Sequence, residues 1–229
     1  MTPDQEKETD DVSGPAAAAA RGPDAQPQPD EEELAVSETA PPPPEATADP
    51  PPAVAELAAA CVRFVSARYQ VPLDFTPETL SLVDQWLRDA RAEVKERPET
   101  VELVQASAGA YLGEVVRRAF GAVWVTKPDY ADWRLCLVTV FCAFNPIGMA
   151  HEALLLDDAD GWHAHFELDP GERDAIEARL AALPEVRDDE YYAPSTRFDV
   201  VNIVVDALRE RMRASGLADV KFGPEDYTE

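Results

Sequence analysis

The chain has 229 residues, with 45 acidic and 20 basic side chains and a formal net charge of −25 at pH 7. Binding to nucleic-acid phosphates requires a basic surface, so this charge argues against a nucleic-acid-binding protein, and it equally disfavours docking on an anionic membrane. A strongly acidic protein attracts partners that carry a basic surface.

The amino-terminal segment, residues 1–52, contains 12 of the 21 prolines, the runs AAAAA, DEEE and PPPP, and no aromatic residue. A segment of this composition cannot bury enough apolar surface to offset the entropy lost on ordering. We therefore predict a disordered tail over 1–52, either a solubilising extension or a docking tether, and a single domain over 53–229. The tail begins without a basic or apolar leader, which indicates a cytoplasmic protein.

Three helices are predicted at the start of the domain. Apolar residues recur at helical spacing over 53–69. A second helix is expected to begin with Thr76 as its N-cap and Pro77 at the first helical position. The third is expected to follow Pro98 and to run through PETVELVQASAGAYLGEVVRRAF, residues 98–120.

The pattern then changes to the alternation typical of strands. GAVWVT at 121–126 and WRLCLVTVFCAF at 133–144 each predict one strand, because they are rich in valine, cysteine and aromatic residues. HEALLLDDADGWHAHFEL at 151–168 predicts a hairpin that turns at DADG.

Two further helices are predicted to close the chain. Asp169 is the expected cap of the first, with Pro170 at the first helical position and Glu172 completing a capping box. The second covers 195–215 and is expected to end at Gly216. The whole order predicts an α+β domain, in which helices pack on a small, mostly antiparallel sheet of three to four strands, preceded by the disordered tail.

The third helix contains two glycines, Gly109 and Gly113, that cost it about 1 kcal/mol each. We interpret both as positions where another backbone approaches too closely for a side chain. Beside them runs a polar row of Ser107, Tyr111, Glu114 and Arg118. The row is either a solvated face, with an i,i+4 ion pair between Glu114 and Arg118, or a binding row.

If a surface carries the function, the candidate partner-binding residues lie on the third helix and on the sheet. Tyr111 would act as an aromatic anchor, Arg118 as a charged contact and Glu114 as its neighbour. Trp133 and Trp162 are the candidate aromatic anchors on the sheet.

The stretches LDFTPETLSLVDQWL, SAGAYLGEVVRRAFGAVW and WRLCLVTVFCAFNP resemble, over about residues 70–150, an uncharacterised bacterial domain family with a Gly-Ala-Tyr-Leu-Gly-Glu helix. The resemblance implies a cytoplasmic α+β domain and no known activity. The matching positions are Asp74, Thr76, Pro77, Glu78, Leu80, Gly109, Ala110, Tyr111, Leu112, Gly113, Glu114, Trp124, Asn145 and Pro146.

Chemical motifs are sparse. The acidic turn near residue 160 resembles a calcium loop, but Leu156 occupies the first ligand position, which argues against calcium. His151, His163 and His165 could gather on the predicted hairpin to hold a metal, although strand histidines are more often surface residues. The three cysteines lie among apolar residues and are expected to be core residues rather than disulfides or nucleophiles.

These observations favour a non-enzymatic cytoplasmic interaction protein that acts as an adaptor, regulatory or accessory subunit. Its expected partner is another protein with a basic surface, and no cofactor or metal is predicted. One alternative is an acidic inhibitor or immunity protein for a basic toxin such as a nuclease. Another is a metal-dependent hydrolase that uses the three histidines and the acids of residues 187–190.

Overall fold

A computed structural model describes residues 49–158 and 160–227. The predicted disordered tail therefore lies outside the described residues, except for its last four positions. The helices and strands of the described part, in chain order, are α1 Pro52–Tyr69, α2 Leu80–Glu96, α3 Val101–Phe120, β1 Ala122–Val125, β2 Arg134–Leu137, β3 Cys142–Phe144, α4 Pro146–Leu155, β4 Glu167–Leu168, α5 Pro170–Ala181, α6 Asp188–Tyr191 and α7 Pro194–Ala214.

The predicted α+β class is confirmed. The four strands form one antiparallel sheet in the order β1-β2-β3-β4, and the helices pack against it and against each other. Leu135 and Leu137 of β2 are fully buried in the shared core, as alternate residues on one face of a strand should be.

Helix α3 is the centre of the domain. Thirteen of its 20 residues are buried, so it is covered on most of its circumference, chiefly by α1 and α4. A helix in this position must be apolar or internally satisfied on nearly every face. This burial determines which side chains of the predicted polar row on α3 can reach solvent.

The single strand predicted over 133–144 is wrong, because the segment forms two strands, β2 and β3, with a turn between them. The turn is fastened by the far end of the chain. The backbone N–H of Phe222 donates to the carbonyl of Val138, and the hydroxyl of Tyr227 donates to the carbonyls of Leu137 and Val140. Contacts from more than 80 residues away leave no trace in a local pattern.

The hairpin predicted over 151–168 is also wrong, since its first half lies in helix α4. Asn145 caps this helix, because its side-chain oxygen accepts hydrogen bonds from the N–H groups of Ile147 and Gly148, and Pro146 takes the first helical position. The second half contributes only the two-residue strand β4. The Asn-Pro pair was the available signal for a helix start.

Two predicted caps differ in detail. The side chain of Asp169 accepts from the N–H of Gly171 and caps α5 as expected, but the Glu172 carboxylate pairs with Arg211 of α7 rather than closing a capping box. Thr76 makes no capping bond. The chain there enters a 3₁₀ turn, Pro77–Thr79, before α2 begins.

Candidate functional site

The two glycines of α3 mark close approaches, as predicted. A Cβ on Gly109 would lie 2.7 Å from both the nitrogen of Ile147 and the carbonyl oxygen of Pro146, so the backbone at the start of α4 fills this space. A Cβ on Gly113 would overlap the indole ring of Trp124. The first approach is by backbone, as expected, whereas the second is by a side chain.

Tyr111 is fully buried, and it holds the connection between α1 and α2. Its hydroxyl accepts a hydrogen bond from the N–H of Phe75 at 2.9 Å and is hydrogen-bonded to the Thr79 hydroxyl at 2.6 Å. Its ring also stacks on that of Phe75, with 4.8 Å between centroids. Phe75 has a φ of 66°, in the left-handed region that side chains rarely adopt, so the tyrosine stabilises a strained turn.

Glu114 is only 2% exposed and is satisfied within the domain. The indole N–H of Trp124 donates to its carboxylate at 2.9 Å, and the Arg117 guanidinium pairs with it at 2.9 Å. Arg118, the predicted i,i+4 partner, lies at 3.9 Å and keeps 47% of its side chain exposed over the ring of Phe75. The row is therefore no solvated face.

The two tryptophans predicted as sheet anchors are also engaged in packing. Trp133 is buried, donates its indole N–H to the carbonyl of Lys127 and packs edge-on against Trp124. Trp162 lies in the loop before β4, partly buried, and stacks on His151 at 4.7 Å. Of the five predicted residues, Arg118 and Trp162 reach the surface, and they do so at different parts of the domain.

The cysteines are core residues, as expected. Cys61, Cys136 and Cys142 are buried free thiols. Burial raises the pKa of Cys136 to about 12 and also raises the pKa values of Cys61 and Cys142. A thiol with a raised pKa carries little of the reactive thiolate at neutral pH, so these residues have the character of apolar packing groups.

The histidines do not gather as the metal hypothesis required. His151 is on α4, where its Nδ1 lies 2.6 Å from the Gln105 amide oxygen. Within the described part of the chain, His165 instead lies with Glu152 and Asp158, with ligand atoms within 4.8 Å of one another. These three could hold a metal ion. The Glu152 carboxylate already pairs with buried Arg197 at 2.6 Å, and this cation opposes a second one.

A groove of about 610 Å³ lies between α1, α2 and α3 and is hereafter called the helical groove. Its floor is Trp86, with Ala90 and Val94 beside it. Phe64 and Leu103 flank the floor and leave 41% and 48% of their surface exposed. Charged side chains surround it; they are Arg68, Glu93, Glu96 and Arg97.

Ion pairs order one rim of the helical groove. Arg68 of α1 pairs with Asp89 at 3.1 Å and with Glu93 at 3.0 Å, both on α2. Hydrogen bonds from Tyr69, then from Gln85 and Arg68, hold the pKa of Asp89 below its usual value. These ion pairs join α1 to α2, and the charge of Arg68 is balanced by the two carboxylates. The rim therefore borders the apolar floor of the helical groove and leaves the floor uncovered.

Comparison with known proteins places part of the chain in context. A family model described as "Family of unknown function (DUF6278)" matches residues 30–134, a little under half of the chain. No curated protein and no solved structure matches. The family match covers α1, α2, α3 and β1, and it contains every residue that lines the helical groove. In the part that the structure describes, no helix combines the length and apolarity needed to cross a membrane.

Proposed function

We propose that the protein is a non-enzymatic interaction protein of the bacterial cytoplasm, an adaptor or accessory subunit that docks another protein in the helical groove. The observation that carries this proposal is the exposure of Phe64 and Leu103 on either side of the Trp86 floor. Apolar side chains grouped around a concavity contribute binding free energy when a partner covers them.

The shape of the groove and the net charge of the whole chain favour one kind of occupant, an amphipathic helix of a second protein with basic flanks. A groove between helices accepts the apolar face of such a helix. The net charge of −25 attracts basic flanking residues and accelerates encounter, while the apolar floor supplies the contact area. The groove lies wholly within the segment that matches the family model.

The test is capture of the partner by matched variants of the full-length chain. Leu103→Glu places a charge in the groove, whereas Leu217→Glu makes the same change at a residue that is 50% exposed and outside it. We expect one partner to be retained by the wild type and by Leu217→Glu and lost by Leu103→Glu, with all three unfolding at the same temperature. Calorimetry with that purified partner should reproduce the order, and capture unaffected by Leu103→Glu would refute the proposal.

Simple measurements distinguish an adaptor from the two alternative functions, an immunity protein and a metal-dependent hydrolase. An immunity protein would bind one basic toxin very tightly, with an affinity that falls steeply with salt. A metal-dependent hydrolase would use the group of Glu152, Asp158 and His165, which could hold a metal ion if it outcompetes the Arg197 cation for Glu152. It predicts stoichiometric metal in the purified protein and a higher melting temperature on adding zinc or manganese.

A further inference from the structure

A second concavity lies on the face of the sheet opposite to α3. This sheet cavity has a volume of about 760 Å³. Arg134 and Cys136 of β2 line it, on the opposite face of the strand from Leu135 and Leu137, which belong to the main hydrophobic core. The remaining lining residues come from the end of β1, from β3 and β4, from the loop before β4, from the first turn of α5 and from the last described turn of the chain.

Three cations line the sheet cavity, Lys127, Arg134 and Arg173. Among the residues that the structure describes, none of the three has a carboxylate within 4.0 Å. Arg134 is partly buried, whereas Lys127 and Arg173 are exposed, and two carboxylates, Asp160 and Glu167, line the same cavity. The cavity lining therefore has one more cation than carboxylates, which is unexpected in a chain with 45 acidic residues against 20 basic ones. This local excess of positive charge attracts an anion.

Of the three cations, Arg134 has the side chain best positioned to bind an anion. Its Nη1 donates to the carbonyls of Trp133 at 2.8 Å and Ala131 at 3.3 Å, which fixes the guanidinium at the start of β2. Partial burial lowers its pKa, because water is withdrawn from the cation, while the charge of Glu167 acts in the opposite direction. A fixed, partly desolvated guanidinium offers paired donors to a carboxylate or phosphate.

The wall of the sheet cavity is held in place before any ligand arrives. The hydroxyl of Tyr227 donates to the Leu137 and Val140 carbonyls at 2.7 and 3.0 Å, and its ring stacks on Phe141 at 4.6 Å. Phe166 lines the same cavity. A preformed pocket with apolar walls pays little ordering entropy on binding.

We propose that the sheet cavity binds a small organic anion, with its phosphate or carboxylate group between Arg134, Lys127 and Arg173. Its carbon skeleton would pack against Phe166 and Tyr227. Glu167 and Asp160, which share the cavity, keep the pocket from being uniformly positive and so favour ligands that also carry hydroxyl or amino donors.

The experiment uses calorimetry and thermal shift on the full-length protein at fixed ionic strength. The probes are inorganic phosphate, glucose 6-phosphate and citrate, with glucose as the uncharged comparison. We expect saturable binding of at least one anion, with a dissociation constant below about 1 mM, and none of glucose. Phosphate-specific binding would identify a phosphoryl ligand, and citrate-specific binding a carboxylate ligand.

Matched variants locate the binding. Arg134→Gln should weaken it at least about tenfold, because it removes a charge-assisted contact. Arg179→Gln should not change it, since Arg179 lies on the same helix as Arg173 but pairs with Glu210 outside the cavity. The absence of any anion that binds with a dissociation constant below about 1 mM, or equal loss in folded Arg134→Gln and Arg179→Gln proteins, would overturn the proposal. Leu103→Glu should leave anion binding intact, which separates this proposal from that of the helical groove.

Discussion

The carboxylate of Glu114 on α3 accepts a hydrogen bond from the indole of Trp124 on β1, with 2.9 Å between the two atoms. Because the carboxylate is buried and also paired with Arg117, it ties the central helix to the edge strand of the sheet. Glu114, a candidate surface residue in the sequence analysis, is thus a polar link inside the core. Substituting it and measuring the free energy of unfolding tests this structural role.

The first prediction concerns that link. Glu114→Gln removes the charge that compensates partly buried Arg117, so we expect the free energy of unfolding to fall by about 1–3 kcal/mol. The control is Glu99→Gln, which breaks a pair with Arg97 whose two side chains are each 70% exposed and should cost less than about 0.5 kcal/mol. Urea unfolding compares them, and equal losses would contradict a structural role for Glu114.

Tyr111→Phe tests the anchor of the α1–α2 connection. The change keeps the ring stacked on Phe75 but leaves the Phe75 N–H without its side-chain acceptor, so a loss of about 1–2 kcal/mol is expected. Tyr69→Phe removes a more exposed hydroxyl, bonded to Asp89, and should cost about half as much. Urea titrations measure the free energy of unfolding of both variants. A smaller loss for Tyr111→Phe than for Tyr69→Phe would refute the prediction.

Gly109→Ala should be strongly destabilising although it adds only one methyl group to α3. The new Cβ would overlap the backbone of Ile147, which cannot move without shifting α4, so we expect a loss of about 2–4 kcal/mol despite the better helix propensity of alanine. Gly171→Ala is the control. It meets only the Asp169 carboxylate, and should leave stability within about 1 kcal/mol. Thermal unfolding monitored by circular dichroism measures both.

The pH dependence of stability should report His151. Burial against Trp162 lowers its pKa below the ordinary 6.5, so the folded state disfavours protonation while the unfolded state takes up the proton. The stabilising contribution is therefore present above pH 6.5 and is lost as pH falls from 6.5 through the lower folded-state pKa. His151→Phe keeps the ring stack without the titration, so it should lose less stability than the wild type between pH 7.5 and pH 5. Parallel losses would show that His151 is not responsible.

Much of the fold could be predicted from local sequence patterns. The helical periods, Pro98 before α3, Asp169 before α5 and Gly216 after α7 each act within a few residues, so the sequence predicted those helices and their ends. The α+β class followed from their order. The strand assigned over 133–144 failed because the turn within it is fastened by Phe222 and Tyr227, far along the chain.

The candidate sites could not be predicted from the sequence to the same extent. The helical groove requires Phe64, Trp86 and Leu103 to meet, and three separate helices supply them. The sheet cavity combines Lys127 with Tyr227, a hundred residues later. No spacing rule relates such positions, because side chains from different elements converge only after the elements have packed.

By itself the sequence determined the helices α1, α2, α3, α5 and α7, the class of fold, the core character of the cysteines and the close approach at Gly109, because each depends on local periodicity, composition or backbone sterics. Only the tertiary structure decided which polar residues face water. Tyr111 and Glu114 became core residues because α3 is covered on most sides, so that the hydroxyl found Phe75 and the carboxylate found Trp124. Burial is a property of the assembled elements, and one helix considered alone cannot specify it.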